Sequence, residues 1–244
     1  MASHPISPSK AAFWAGAKAT IPLIVGATPF GIIFGALAVT SGLSPAGTAA
    51  MSAFVFAGSA QFISVGLIAS AASLPVIIGT TFIVNLRHML YSATLAPHFK
   101  GLSHRWLLPL GFWLTDESFV VAAKHYEKNK DNNQKQWFLL GSELFMYGNW
   151  QLVTWIGIRA GQAIPDPRSW GLDFAMIITF IGMLVPEVKG LPALAVVLVS
   201  SAVSLLGNNL PNQSGLLLAA LFGIAAGVVT ERLQSQIQLA RQNE

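Results

Sequence analysis

Between Lys18 and Arg87 the chain carries no Asp, Glu, Lys or Arg, so Ala19 to Leu86 is an uninterrupted run of 68 uncharged residues. A run of that length cannot be the surface of a water-soluble globule, because about a quarter of the residues of a soluble domain are charged. A membrane-spanning helix needs about 20 apolar residues, so the run holds three crossings. It is punctuated where turns belong, at Ser41-Gly42-Leu43-Ser44-Pro45 and at Ser73-Leu74-Pro75. Spanning helices are expected near 19–41, 46–70 and 74–96, the third ended by Pro97.

The rest of the chain follows the same logic. A fourth helix is expected near 106–123 with Asp116 and Glu117 inside it, and Lys124 to Gln136 as a solvent loop. A fifth is expected near 137–158, interrupted by Glu143, then a loop over Arg159–Asp173. A short sixth near 174–186 and a seventh near 190–206 come next, with a Gly207–Asn212 turn before an eighth near 214–231. The second charge-free run, Gly190 to Thr230, is 41 residues long and accommodates the last two. The fold class is therefore all-α, a polytopic integral membrane protein of seven or eight transmembrane helices, some kinked or broken. The eight-crossing arrangement with both termini inside puts nine basic residues on the cytoplasmic side, four outside and Arg87 within the membrane, the asymmetry that sets orientation. A re-entrant sixth helix reduces the crossings to seven and moves the C-terminus outside. Residues 1–18 read as a cytoplasmic segment, 19–231 as the transmembrane domain and 232–244 as a solvated tail. The first apolar stretch continues well beyond signal-peptide length and reads as an uncleaved signal-anchor.

Composition closes off several classes of function. The chain has no cysteine, which excludes disulfides and thiolate chemistry. Its formal net charge of +4 comes from scattered residues and does not make a nucleic-acid surface. No metal-ligand or phosphate-loop pattern stands out, so no metal, catalytic group or cofactor is expected.

Polar residues within an apolar span are costly and call for an explanation. Asn85, His88 and Ser92 fall on one stripe of a continuous helix, with Arg87 and Tyr91 on the next. They form a polar ridge that lines a solute path, or else Arg87 snorkels to the interface and the others join helices. Asp116 and Glu117 point about 100° apart on a helix, so one is free to carry a proton while the other neutralises Arg87 or His88, or else the helix is interfacial and both are solvated. Gln61, behind Gly58-Ser59-Ala60, either holds a solute or bonds a neighbouring helix. Glu143, with Tyr147 and Asn149, reads as a structural pair or else as a group in the transport path. Ala27, Gly31 and Gly35, like Ala219, Gly223 and Gly227, recur at spacing four and mark close packing seams or a subunit interface. Pro22 and Pro29 kink or break the first helix.

The run Thr28-Pro29-Phe30-Gly31 with Phe34-Gly35, the Gly58–Phe62 segment, Asn85-Leu86-Arg87-His88 and Thr115–Phe119 together resemble AzlC-type proteins, the large subunits of branched-chain amino-acid exporters. The resemblance covers about residues 13–232. It implies export of leucine, isoleucine and valine, with methionine a further candidate, across the plasma (inner) membrane. It also implies a small hydrophobic AzlD-type membrane subunit as partner. Placement in the membrane, not the resemblance, selects Gln61, Asn85, Arg87 and His88 as substrate-binding candidates, and Asp116 and Glu117 as proton-coupling candidates. Arg87 suits a substrate carboxylate and Asp116 or Glu117 an ammonium, with protons as the coupling ion. The rival readings are an intramembrane enzyme using Asp116, Glu117 and His88 as acid–base groups, and a scaffold that transports nothing.

Overall fold

A computed structural model describes residues 7–129, 134–163, 181, 184–185, 188–210 and 214–242. The described residues are helical. In chain order the helices are α1 (Pro8–Thr40), α2 (Pro45–Phe54), α3 (Gly58–Ala69), α4 (Leu74–Asn85), α5 (Arg87–Leu95), a 3₁₀ turn (Ala96–Phe99), α6 (His104–Trp113), α7 (Asp116–Lys128), α8 (Lys135–Ala163), α9 (Leu191–Leu206) and α10 (Ser214–Gln242).

Local chemistry explains where the first helix begins and ends. Ser7 caps α1 by accepting the Lys10 N–H at 3.4 Å, and Pro8 takes the first turn, where its missing donor costs nothing. At the other end Gly42 adopts φ +98°, Gly42 N bonds Val39 O at 3.1 Å and Leu43 N bonds Ala38 O at 3.0 Å. This is a Schellman stop, which needs a residue without a Cβ at that position. The helix runs on through Pro22 and Pro29, so neither breaks it. The helix is 33 residues long, about 50 Å at 1.5 Å per residue, and starts well before residue 19.

Three expected spans are instead pairs of shorter helices. The span near 46–70 divides into α2 and α3 around Val55–Ala57, that near 74–96 into α4 and α5 at Leu86, and that near 106–123 into α6 and α7 at Leu114–Thr115. Asp116 and Glu117 accordingly open a helix rather than sit within one. The expected loop at Lys124–Gln136 is shorter, because α7 runs to Lys128 and α8 starts at Lys135, and Tyr126 within it is fully buried. Helix α8 extends to Ala163 and α10 to Gln242, both beyond their expected ends. The expected sixth helix lies outside the described residues apart from residues 181, 184 and 185.

The chain forms two compact units. The first comprises residues 1–62 and 85–170, the second residues 63–84 and 171–244. The first is built on the long seam between α1 and α8. A Cβ added at Gly16 would strike Phe138 O, at Gly35 Thr154 O, at Gly141 Phe13 O, and at Gly157 Ile32 O. The two backbones therefore touch along several turns, and Gly31 meets the Val153 side chain. The small-residue stripe of α1 is thus a packing seam inside the protein. Thr20 and Ser142 hydroxyls bond across it at 2.6 Å, and Ser52 reaches Thr154 at 3.1 Å. A side cluster of Leu95, Phe99, Leu110, Leu114, Tyr126, Phe138 and Leu139 packs α5, α6, α7 and the 3₁₀ turn against α8. In the second unit α9 and α10 pair through Gly223 and Gly227, which lie against Val196 and Ser200.

Large apolar side chains cover the outside: Phe54 is 77% exposed, Leu108 72% and Leu206 86%. An outer surface this apolar is one built for hydrocarbon. By length and composition, α1 and the stretch Leu74–Phe99 formed by α4, α5 and the 3₁₀ turn are each long and apolar enough to cross a bilayer.

Candidate functional site

The three helix breaks meet at one side chain. Arg87, the first residue of α5, donates from Nη2 to Ser59 Oγ at 2.6 Å, and its Nη1 pairs with Asp116 Oδ2 at 2.7 Å. Ser59 lies in the first turn of α3 and Asp116 is the first residue of α7. Arg87 therefore does not snorkel to an interface; it fastens two helix N-termini to the kink between α4 and α5. Of the two adjacent carboxylates, Asp116 is the one that neutralises it.

Each break is held by its own polar contacts. At the α6–α7 break, Thr115 Oγ1 accepts Ser118 N–H at 3.3 Å while Ser118 Oγ accepts Thr115 N–H at 2.9 Å, a reciprocal capping box. At the α2–α3 break the chain doubles through Val55–Ala57, and Gln61 closes the gap. Its Nε2 donates to Val55 O at 2.7 Å, and its Oε1 accepts Trp150 Nε1–H at 3.0 Å. Gln61 is fully buried and both ends of its amide are engaged with the protein, so in this conformation it acts as the brace of the break. Trp150, which stacks on Phe34 with ring centroids 6.3 Å apart and covers Gly58, is a partner that sequence reasoning does not find. Nothing in the spacing of α8 marks it, because its role depends on α3 lying alongside.

Asn85 and His88 line a cavity of about 290 Å³ whose other walls are Phe54–Ala57 of the α2–α3 break and Gly111, Phe112 and Leu114 at the end of α6. His88 Nδ1 lies 3.1 Å from Asn85 O, and its ring packs edge-on to Tyr91, which stacks on Phe119 at 4.4 Å. The expected stripe of Asn85, His88 and Ser92 is divided: Ser92 lines a separate cavity beside Leu95, Phe99 and Leu139. Around the Arg87 junction several polar atoms have no hydrogen-bond partner among the described residues, namely Asn85 Oδ1, Arg87 Nε, Asp116 Oδ1 and Trp113 Nε1. Glu117 stands one position on from Asp116 in α7, outside the ion pair.

Glu143 does not make the pair expected of it. Tyr147 Oη donates to Ala53 O at 3.3 Å, and Asn149 Oδ1 accepts from Thr28 at 3.4 Å, while both carboxylate oxygens of Glu143 are buried without a hydrogen bond among the described residues.

Outside the spans, His125 lies flat on Phe138 with centroids 3.7 Å apart, and burial holds its imidazole pKa below the ordinary value.

The AzlC protein family model matches residues 22–164, the stretch that contains all three breaks and most of the seam. An uncharacterised membrane protein of Archaeoglobus fulgidus is 32% identical, over 77% of this chain and 80% of its own length. The inner membrane protein YgaZ of Escherichia coli is 26% identical over 94% of this chain and 93% of its own. The branched-chain amino acid transport protein AzlC of Bacillus subtilis is 30% identical over 72% and 68%. No solved structure matches the chain significantly. With described residues that are helical, an apolar exterior and relatives named as membrane and inner membrane proteins, the chain is a membrane protein of the AzlC family.

Proposed function

We propose that the protein is a secondary transporter subunit that exports branched-chain amino acids, and that the junction at Arg87 is where the backbone of the solute is held. One observation carries this reading. Unpartnered polar atoms of both signs, Arg87 Nε on one hand and Asn85 Oδ1 and Asp116 Oδ1 on the other, stand at a convergence of broken helices beside a cavity with apolar walls. A zwitterion with an aliphatic side chain needs this combination: a donor for its carboxylate, acceptors for its ammonium and an apolar surface for the rest.

Electrostatics favours the same orientation. The first turns of α3 and α7 both meet Arg87, and helix N-termini carry partial positive charge. Asp116 offsets only part of this, so the junction keeps a positive potential suited to a carboxylate. Half-helix N-termini facing an anionic group of the solute are a recurring device of transporters. Phe54, Phe56 and Phe112 supply the apolar wall. Asn85 and His88 then contact the solute directly, Gln61 supports the site through the α2–α3 break, and Glu117 serves as the nearby carboxylate that adjusts its charge.

The name of the Bacillus subtilis relative supports the substrate class. Export, coupling to protons and assembly with a small AzlD-type membrane subunit complete the proposal. Proteoliposomes holding the full chain, with and without such a subunit, and preloaded with labelled leucine test it. Leucine release is expected to exceed that of empty vesicles and to fall when His88→Ala or Asn85→Ala is used, while glutamate is retained. Equal release of leucine and glutamate, or release unaffected by both substitutions, would refute the assignment.

A further inference from the structure

We propose that Glu143, on α8 toward the N-terminal end of its seam with α1, is a proton-binding site that is loaded and unloaded as the transporter changes conformation. The inference deepens the transport reading above and rests on it for its biological role, but the site itself stands on separate observations.

Glu143 is fully buried, and neither of its carboxylate oxygens has a hydrogen-bond partner among the described residues. Two residues before it Gly141 lies against Phe13 O, the adjacent Ser142 bonds Thr20, and Gly16 presses on the Phe138 carbonyl and on Ser142 N. The α1 surface buried at this level, Gly16, Ala17 and Thr20, offers no ionisable group. The cations on the elements that pack against α8 all point away: Lys10 and Lys18 of α1, Arg105 of α6 and Lys124 and Lys128 of α7 are exposed. Helix α2 carries no ionisable residue, and His104 of α6 is exposed. Tyr126 of α7 is fully buried; its hydroxyl is committed to Lys135 O at 2.8 Å, and the His98 ring of the 3₁₀ turn lies 5.0 Å from its own. His125 is occupied against Phe138.

A side chain with this cost and no partner among the described residues is neither an ion pair nor a polar brace there, since a pair needs a counter-charge and a brace needs a bond. The cavities described above do not reach it. A proton is the ligand that requires neither a cavity nor a second donor. Taken up from water on one side, it converts the carboxylate to the acid; released on the other, it regenerates the carboxylate, so the cycle balances with no other reactant. For that to happen the seam must open, because the carboxyl reaches no water as it stands. Sealed and opened, the same carboxyl meets two different environments and holds its proton with two different affinities. That difference is the free energy through which a proton gradient can bias a conformational equilibrium.

The test uses the full chain in lipid vesicles. Infrared difference spectra between acidic and alkaline buffer are expected to show a carboxylic C=O band that Glu143→Gln removes and Glu143→Asp restores at a shifted frequency. A band unchanged in E143Q, or no carboxyl band in E143D, overturns the proposal. On the same vesicles, E143Q is expected to keep leucine exchange at equal pH on both sides and to lose its stimulation by an imposed pH gradient. Full gradient stimulation in E143Q also overturns it. Wild-type protein that shows the band but moves no leucine would uphold the proton site and refute the transport reading instead.

Discussion

Neutralising either member of the Arg87–Asp116 pair is expected to destabilise the protein, and neutralising both is expected to recover part of the loss without recovering transport. The side chains are 28% and 40% exposed and 2.7 Å apart. A fully solvated pair contributes about 0.2–1 kcal/mol, and breaking a fully buried one costs about 3–5 kcal/mol. Partial exposure sets the coupling between them, at about 1–2 kcal/mol. Arg87→Gln also weakens the bond to Ser59, while the Asp116 charge it leaves behind keeps the favourable field of the α7 N-terminus, worth about 0.3–1 kcal/mol. Asp116→Asn leaves the guanidinium beside two helix N-termini with no counter-charge. The double variant has no lone charge at the junction. Thermal unfolding of the four proteins in one detergent completes the cycle. At about 2–4 °C per kcal/mol for a chain of this length, the double variant should melt several degrees above the sum of the single losses. Leucine release should stay at the level of empty vesicles in both variants that lack Arg87. Strictly additive melting shifts would refute the reasoning, because they would mean that the pair contributes no coupling to the junction. Transport restored in the double variant would remove Arg87 from the solute path.

Two further substitutions probe what holds the site in place. Gly16→Ala should lower the melting temperature and Gly26→Ala should leave it unchanged or raise it slightly. Both lie in α1, where alanine gains about 1 kcal/mol of helix propensity, but a methyl at Gly16 meets Phe138 backbone whereas none lies within 4 Å of Gly26; equal melting of the two would disprove the backbone contact. Gln61→Leu should cost about 1–3 kcal/mol, since it leaves the Trp150 indole N–H and the Val55 carbonyl without their bonds. Tryptophan emission should report the loss of the Trp150 bond, and an unchanged spectrum at unchanged stability would show that the α2–α3 break needs no brace.

The solvent for which this chain is built was legible from charge alone: 68 uncharged residues in a row leave hydrocarbon as the only medium that suits them, and spacing of small residues in α1 marked the seam before its partner was known. Arg87, Asp116, Asn85 and His88 could be singled out because an ionisable or amide group within such a run is expensive wherever the chain goes. Hydropathy is blind to where an apolar run stops being helical, however. A one- to three-residue break at Val55–Ala57, Leu86 or Leu114–Thr115 is as apolar as the helices on either side, so each pair reads as one span. Those breaks are stabilised by contacts from elsewhere in the chain, Gln61 to Trp150 across 89 residues and Arg87 to Ser59 across 28, and no local pattern encodes a bond that distant. The same holds for Glu143. Sequence placed it beside Tyr147 and Asn149, but tertiary packing turned both of those toward other partners and left the carboxyl buried. Composition and periodicity thus determined that the chain would enter a membrane and which polar residues would have to be explained there; only the close approach of helices far apart in sequence decided which of those residues are braced, which are paired and which are left alone.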